Sequence, residues 1–232
     1  MIRAVHVVIP ARDEEQLLPR CLASLERARL ALRVARPDLL VDTSVVLDRC
    51  GDRSGVVVDA ARVHSRTVDF GMVGATRDAG VRWALSSGTL NGIRPDELWI
   101  ACTDADTVVP EHWLTGQLDL ALAHDAVIGT VEPYGLTDTE VLALWRARHH
   151  LFDGHPHVHG ANLGLRGSTY LEVGGFRALA TDEDVDLVRR IRAHTDRWVA
   201  TDAVRVASSA RRIGRARGGF ADFIVALEEE VG

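Results

Sequence analysis

The chain has 232 residues, of which 47% are hydrophobic and 26% charged. That is enough apolar material to bury the core of one large domain and too much for a disordered tail. A net charge of −6 argues against a general grip on nucleic acid. Three scattered cysteines, Cys21, Cys50 and Cys102, form no Cys-x-x-Cys pair, which excludes a disulfide scaffold and suggests thiols in a reducing compartment. No apolar run is long enough for a signal peptide or a membrane span, so a cytoplasmic location is expected.

Short β-rich runs alternate with helical patterns from the start. Residues 5–9 form a near-continuous apolar run, as in a strand buried on both faces. Residues 14–33 carry Leu18, Leu22, Leu25, Ala28 and Leu32 on one helical stripe, with Pro19 in the opening turns where a missing amide is tolerated. A second strand is predicted at 44–47 and a helix at 55–63. A weak third strand follows at 68–70, then a helix at 75–85. A fourth strand spans 98–103, a helix 111–123 and a fifth strand 126–131. This alternation implies a mostly parallel central sheet with helices on both faces, an α/β fold. The second half is less regular: a helix at 139–150, a His-rich break at 155–160, a strand at 162–165, a helix at 183–194, a strand at 203–207 and a closing helix at 220–230. No repeat or linker divides the chain. A single domain is expected, with a nucleotide half at about 1–131 and an acceptor half at about 132–232.

Ligands of open α/β sheets collect at the carboxyl ends of the strands. The segments just beyond the first, second and fourth apolar runs are Pro10-Ala11-Arg12-Asp13-Glu14, Asp48-Arg49-Cys50-Gly51-Asp52 and Asp104-Ala105-Asp106. Three acidic clusters should therefore converge on one rim. Neither a Gly-x-Gly-x-x-Gly nor a Walker loop follows the first strand, which excludes the usual dinucleotide and P-loop sites. So acidic a rim would repel a diphosphate unless a divalent cation stood between them, and carboxylate oxygens suit Mn²⁺ or Mg²⁺.

The segment Val7–Glu15 resembles the opening of family 2 glycosyltransferases, with Asp13 where the family usually has Asn. Val45-Val46-Leu47-Asp48, with Asp52 and Ser54, resembles their second nucleotide loop. Gly74-Ala75-Thr76-Arg77-Asp78-Ala79-Gly80 is similar to their Gly-x-x-Ala-Arg-Asn-x-Gly segment, departing from it at Thr76 and Asp78. Asp104-Ala105-Asp106 matches the Asp-x-Asp signature, and Gly160-Ala161-Asn162 through Gly174-Gly175-Phe176 and then Glu183–Leu187 match acceptor-side motifs. Each motif is weak alone, but they run in order from residue 5 to about residue 190.

The resemblance implies a GT-A fold and transfer of a sugar from a nucleoside diphosphate, by default UDP, to an acceptor hydroxyl. It implies donor contacts at Pro10, Ala11, Arg12, Glu14, Asp48, Arg77, Asp104 and Ala105, with Arg77 near the diphosphate. Asp106 would be a ligand of Mn²⁺ or Mg²⁺, and Asp184 the general base for an inverting displacement. His159, Gly160, Asn162 and Glu183 fall on the acceptor side. Many relatives carry a metal-binding histidine in the C-terminal region; this chain has none there.

Other readings compete at several positions. Asp-x-Asp at a strand end often only caps a loop, and Asp184 stands among Asp182, Glu183 and Asp186 in a helical first turn, where any carboxylate favours the macrodipole. Trp113 could stack on an acceptor sugar or anchor its helix. His149, His150, His155, His157 and His159 admit a zinc site as a minority reading beside acceptor contact or a structural loop. Arg211, Arg212, Arg215 and Arg217, set among glycines, repel one another unless an anion is near. Arg211 and Arg212 are therefore expected at the donor diphosphate, on a mobile lid, with an anionic acceptor or a merely solvated loop as the alternatives. The rival functions are a sugar-nucleotide nucleotidyltransferase, which would be expected to carry a Gly-rich N-terminal loop absent from residues 9–15, and an idle nucleotide-sugar binder.

Overall fold

Eight residues in succession, Ala4–Ala11 (β1), are all buried, because this strand lies inside the sheet with helices over both faces. The computed structural model describes residues 1–86, 92–149, 151–179, 181–214 and 220–231. β1 pairs in parallel with Leu40–Asp48 (β2) on one side and Leu98–Cys102 (β4) on the other. Outside β2 lies His64–Val68 (β3). The remaining strands are Thr107–Val108 (β5), Ala126–Tyr134 (β6), Leu163–Arg166 (β7) and Trp198–Ser209 (β8). The eight-stranded order is β3-β2-β1-β4-β7-β6-β8-β5.

Strands β1 to β4 pair in parallel as the alternation predicts. Three pairings in the second half, β4 with β7, β6 with β7 and β5 with β8, are antiparallel. Strand β8 is longer than the expected 203–207 because it pairs with β6 along two stretches separated by a bulge near Gly129–Val131. The third strand sits at 64–68 rather than 68–70. It is a largely exposed edge strand, so no buried run betrays it, while Phe70 and Gly71 turn back to donate their amides to Asp48.

Alternating side chains of β1 divide the core. Val5, Val7 and Ile9 pack with Leu18–Ala35 (α1), Ser54–Ala61 (α2) and Trp113–Leu120 (α4). The stripe Leu18, Leu22, Leu25, Ala28 and Leu32 is buried there in full. Ala4 and Val8 face the opposite layer, built from Val73–Ser86 (α3), Gly167–Glu172 (α6) and Glu183–His194 (α7). Thr139–Arg148 (α5) and Phe220–Val231 (α8) pair separately through Val141, Trp145, Ile224 and Leu227. Among the described residues no helix is long and apolar enough to cross a membrane.

Candidate active site

Three of the four non-glycine residues with positive φ among those described lie beside the expected rim: Asp13 (51°), Arg49 (54°) and Asp182 (59°). Such a backbone is uncommon for these residues and clusters where loops are held for function. Asp13 turns the chain out of β1, Arg49 turns it out of β2, and Asp182 delivers Glu183 and Asp184 into the first turn of α7.

At the end of β1, Pro10 and Ala11 are buried within the strand and Arg12 is exposed. Glu14 is only 5% exposed; its amide donates to Ser54 Oγ and its carbonyl receives the amides of Leu17 and Leu18, starting α1. Both oxygens of its carboxylate accept from Arg211, at 2.7 and 2.6 Å. Arg211 also lies 3.1 Å from Asp106 Oδ2. Arg211 thus bridges the β1 loop and the Asp-x-Asp turn, 197 and 105 residues away in sequence. Asp106 is pushed up to about 7, first by burial and then by Asp104, with Arg211 opposing. Its carbonyl accepts from Ser209 N and the Tyr134 hydroxyl, which ties the turn to β8 and β6. Ala105 between the two carboxylates is buried.

Arg77, expected beside a diphosphate, is 3% exposed and enclosed by protein. One terminal nitrogen donates to Asp104 Oδ1 at 2.5 Å and the other to Glu183 Oε1. Glu183 is itself 5% exposed, and burial raises its carboxyl against the pull of Arg77. Asp184 is half-buried; its Oδ2 accepts from the Gly160 amide at 2.6 Å. Asp186 is surrounded by Arg177, Arg189 and Arg190 and bonded to all three, which lowers its carboxyl and leaves it no freedom to take a proton. Asp184 is partly exposed and, among the described residues, forms no arginine salt bridge.

Four expected contacts are occupied from within. Asp48 accepts from Phe70 N, Gly71 N and Thr76 Oγ1, so the departure Thr76 serves to complete this carboxylate's shell. Trp113 is fully enclosed, its indole N–H on Asn162 Oδ1 at 2.9 Å, and Asn162 spends its amide group on the carbonyls of Thr130 and Val204. Arg212 is exposed and pairs with Glu228 of α8. Residues 215–219, with Arg215 and Arg217 of the expected lid, lie outside the described residues, as does His150.

The other histidines form a ladder rather than a metal centre. His149 stacks on Trp145 and on His157, and His157 on His155 and His159, with ring centroids 4.8 to 6.2 Å apart. His159 is held down to about 3 by burial and then by its neighbouring imidazoles, so the ladder is neutral there. Among the described residues the one trio of potential ligands within 4.8 Å of one another is Asp13, Cys50 and Asp52. Asp13 and Asp52 there receive the amides of Gly51, Glu15 and Ser54. The oxygens of Glu14 and Asp106 instead converge on one cationic group, the Arg211 guanidinium.

The order of motifs along one rim has a counterpart in sequence: residues 6–178 match the family model "Glycosyl transferase family 2". The chain belongs to glycosyl transferase family 2. A search of curated proteins found no match. Among solved structures this family 2 chain is similar to S. aureus TarS 1-349, with 13% identity, TM-score 0.62, and coverage of 90% of this chain and 61% of that one. It is similar to the mannosyltransferase PcManGT from Pyrobaculum calidifontis in complex with GDP-Man and Mn²⁺, with 18% identity, TM-score 0.63, and coverage of 91% and 58%. It is also similar to glucosyl-3-phosphoglycerate synthase from Mycobacterium tuberculosis in complex with Mn²⁺, UDP and phosphoglyceric acid, with 17% identity, TM-score 0.59, and coverage of 98% and 78%. At these identities the likeness establishes the GT-A fold. The chain spans about six-tenths of the length of the first two.

Proposed function

We propose that this family 2 chain transfers one sugar from a nucleoside-diphosphate sugar, with UDP as the preferred carrier, to an acceptor hydroxyl. The observation that carries the reading is the convergence of Glu14, Asp104 and Asp106 at the carboxyl ends of β1 and β4, with Glu183, the neighbour of Asp184, joined to Asp104 through the buried Arg77. The nucleotide half (1–131) supplies the donor rim, and the acceptor half (132–232) supplies Asp184 and the His159–Gly160 turn. Several structural neighbours hold UDP or a GDP-sugar together with Mn²⁺, which supports a divalent cation here. Asp106 is its assigned ligand, with Glu14 and Asp104 close by, and the bound cation would offset charge on the departing diphosphate. Arg211 would meet that diphosphate, through a fork suited to phosphate oxygens, once the cation replaces it at Glu14 and Asp106.

An alcohol is a poor nucleophile at neutral pH, so Asp184 takes the proton of the acceptor hydroxyl. A base on the face opposite the leaving group gives inversion. The test begins with a melting-temperature screen of UDP, GDP, dTDP and CMP with Mn²⁺, since a ligand that binds only the native state raises the melting temperature. Nucleotide release from the matching sugar donor is then followed with Mn²⁺ and with chelator. Asp184→Asn is expected to keep donor affinity and lose roughly 10²–10⁴-fold in turnover. Asp106→Asn is expected to abolish the Mn²⁺ dependence of binding in a folded protein. Wild-type transfer by Asp184→Asn would remove the base, and unchanged metal-dependent affinity in Asp106→Asn would remove the metal site.

A further inference from the structure

The Arg77 guanidinium makes three contacts at once. It holds Asp104 of the Asp-x-Asp turn, it holds Glu183 immediately before Asp184, and its flat face lies against the backbone of Gly160. A Cβ on Gly160 would fall 2.5 Å from Arg77 Cζ and Nη2, so only glycine lets the chain pass this closely. The Gly160 amide, held there, donates to Asp184 Oδ2. Two routes therefore run from Arg77 to Asp184: through Glu183 along the chain, and through Gly160 across space. The same side chain runs to the donor rim through Asp104.

We propose that Arg77 is a positioning residue that sets the base Asp184 against the Asp-x-Asp turn, rather than a contact to the donor. Its burial supports this, since both terminal nitrogens point at carboxylates of this chain and 3% exposure leaves no face for a diphosphate. The planar fork is what the task requires: it spans two carboxylates in a fixed geometry, whereas an ammonium would serve as a point charge between them. Misplacement of a reacting group by an ångström costs about 100-fold in rate, so the fork governs turnover through Asp184. The inference rests on the assignment of Asp184 as the base.

The test is a double-mutant cycle on the full chain with Arg77→Lys and Asp184→Asn, measuring donor binding by calorimetry with Mn²⁺ and transfer by single turnover at saturating donor. Arg77→Lys keeps the charge and loses the fork. It is expected to bind donor within about threefold of wild type and to lose about 100-fold in the rate of transfer. In the Asp184→Asn background the same substitution is expected to cost less than about threefold, because the group it positions is already gone. Full additivity of the two losses would overturn the inference, and so would a donor affinity that falls as far as the rate does. Should Arg77→Lys fail to fold, Glu183→Gln substitutes in the cycle. It preserves an acceptor oxygen for Arg77 while weakening the ion pair, and the same non-additivity is expected. Loss of transfer in Asp184→Asn together with additivity refutes the role of Arg77 alone. Wild-type transfer in Asp184→Asn refutes the base itself.

Discussion

The Asp106 carboxyl titrates near neutrality because it is buried and stands beside Asp104, with Arg211 only partly compensating. Its folded value lies above its unfolded one, so the metal-free native state binds more protons than the unfolded chain between about pH 4 and 7, and this group's contribution to stability falls as pH rises through that window. A divalent cation bound to Asp106 as proposed would have to displace that proton. Mn²⁺ affinity should therefore drop as pH is lowered through 7 and level off above it, which titration of Mn²⁺ between pH 5.5 and 8 would reveal. A flat profile would detach Asp106 from the metal. Arg211 makes a related prediction. Glu14 is almost wholly buried, so Arg211→Ala strands a carboxylate and should lower the melting temperature. Added Mn²⁺ should then raise that temperature more in the variant than in wild type, since it restores the missing positive charge.

The same residues show what could be read beforehand. Glu14, Asp104 and Asp106 were legible because each follows an apolar run, and strand ends are where ligands gather. The partnership of Arg211 with Glu14 was not, since nothing local marks a contact across 197 positions.

At the scale of elements, helix α7 matches its predicted span because its leucine, valine and isoleucine stripe faces the core and its carboxylates precede it. Strand β5, two residues long, and helix α6, six residues long, escaped notice, being too short for any period to register. Trp113 and the Gly160–Asn162 turn drew attention as acceptor contacts through polarity and a motif. The structure gives Asn162 a joining role, in which one buried amide ties α4 to β6 and β8. Asn162→Leu would leave an indole N–H and two carbonyls without partners. At roughly 1–3 kcal/mol for each such buried group, a loss of several kcal/mol is expected. Chemical denaturation measures it, and a loss below about 1 kcal/mol would show that water replaces the amide.

For the molecule as a whole, the mixed sheet follows from its second half. The mostly parallel sheet read from the sequence holds across β3, β2, β1 and β4, whereas β7 runs antiparallel between β4 and β6 and so joins the second half of the chain to the first. Such a sheet still has two margins. At one, β5 offers only Thr107 and Val108. At the other, β3 presents five residues, His-Ser-Arg-Thr-Val, largely exposed and, among the described residues, unpaired on their outer side. An open strand of this kind is a template on which another chain can add and from which aggregates grow. The short strand gives such growth little purchase, and on the longer one His64 and Arg66 place polar and charged groups where a newcomer would lie. Their consequence is colloidal: Arg66→Val should leave the melting temperature of the dilute chain nearly unchanged while promoting concentration-dependent self-association, visible by light scattering. A variant that remains monodisperse would mean that the margin is guarded by something other than its charge.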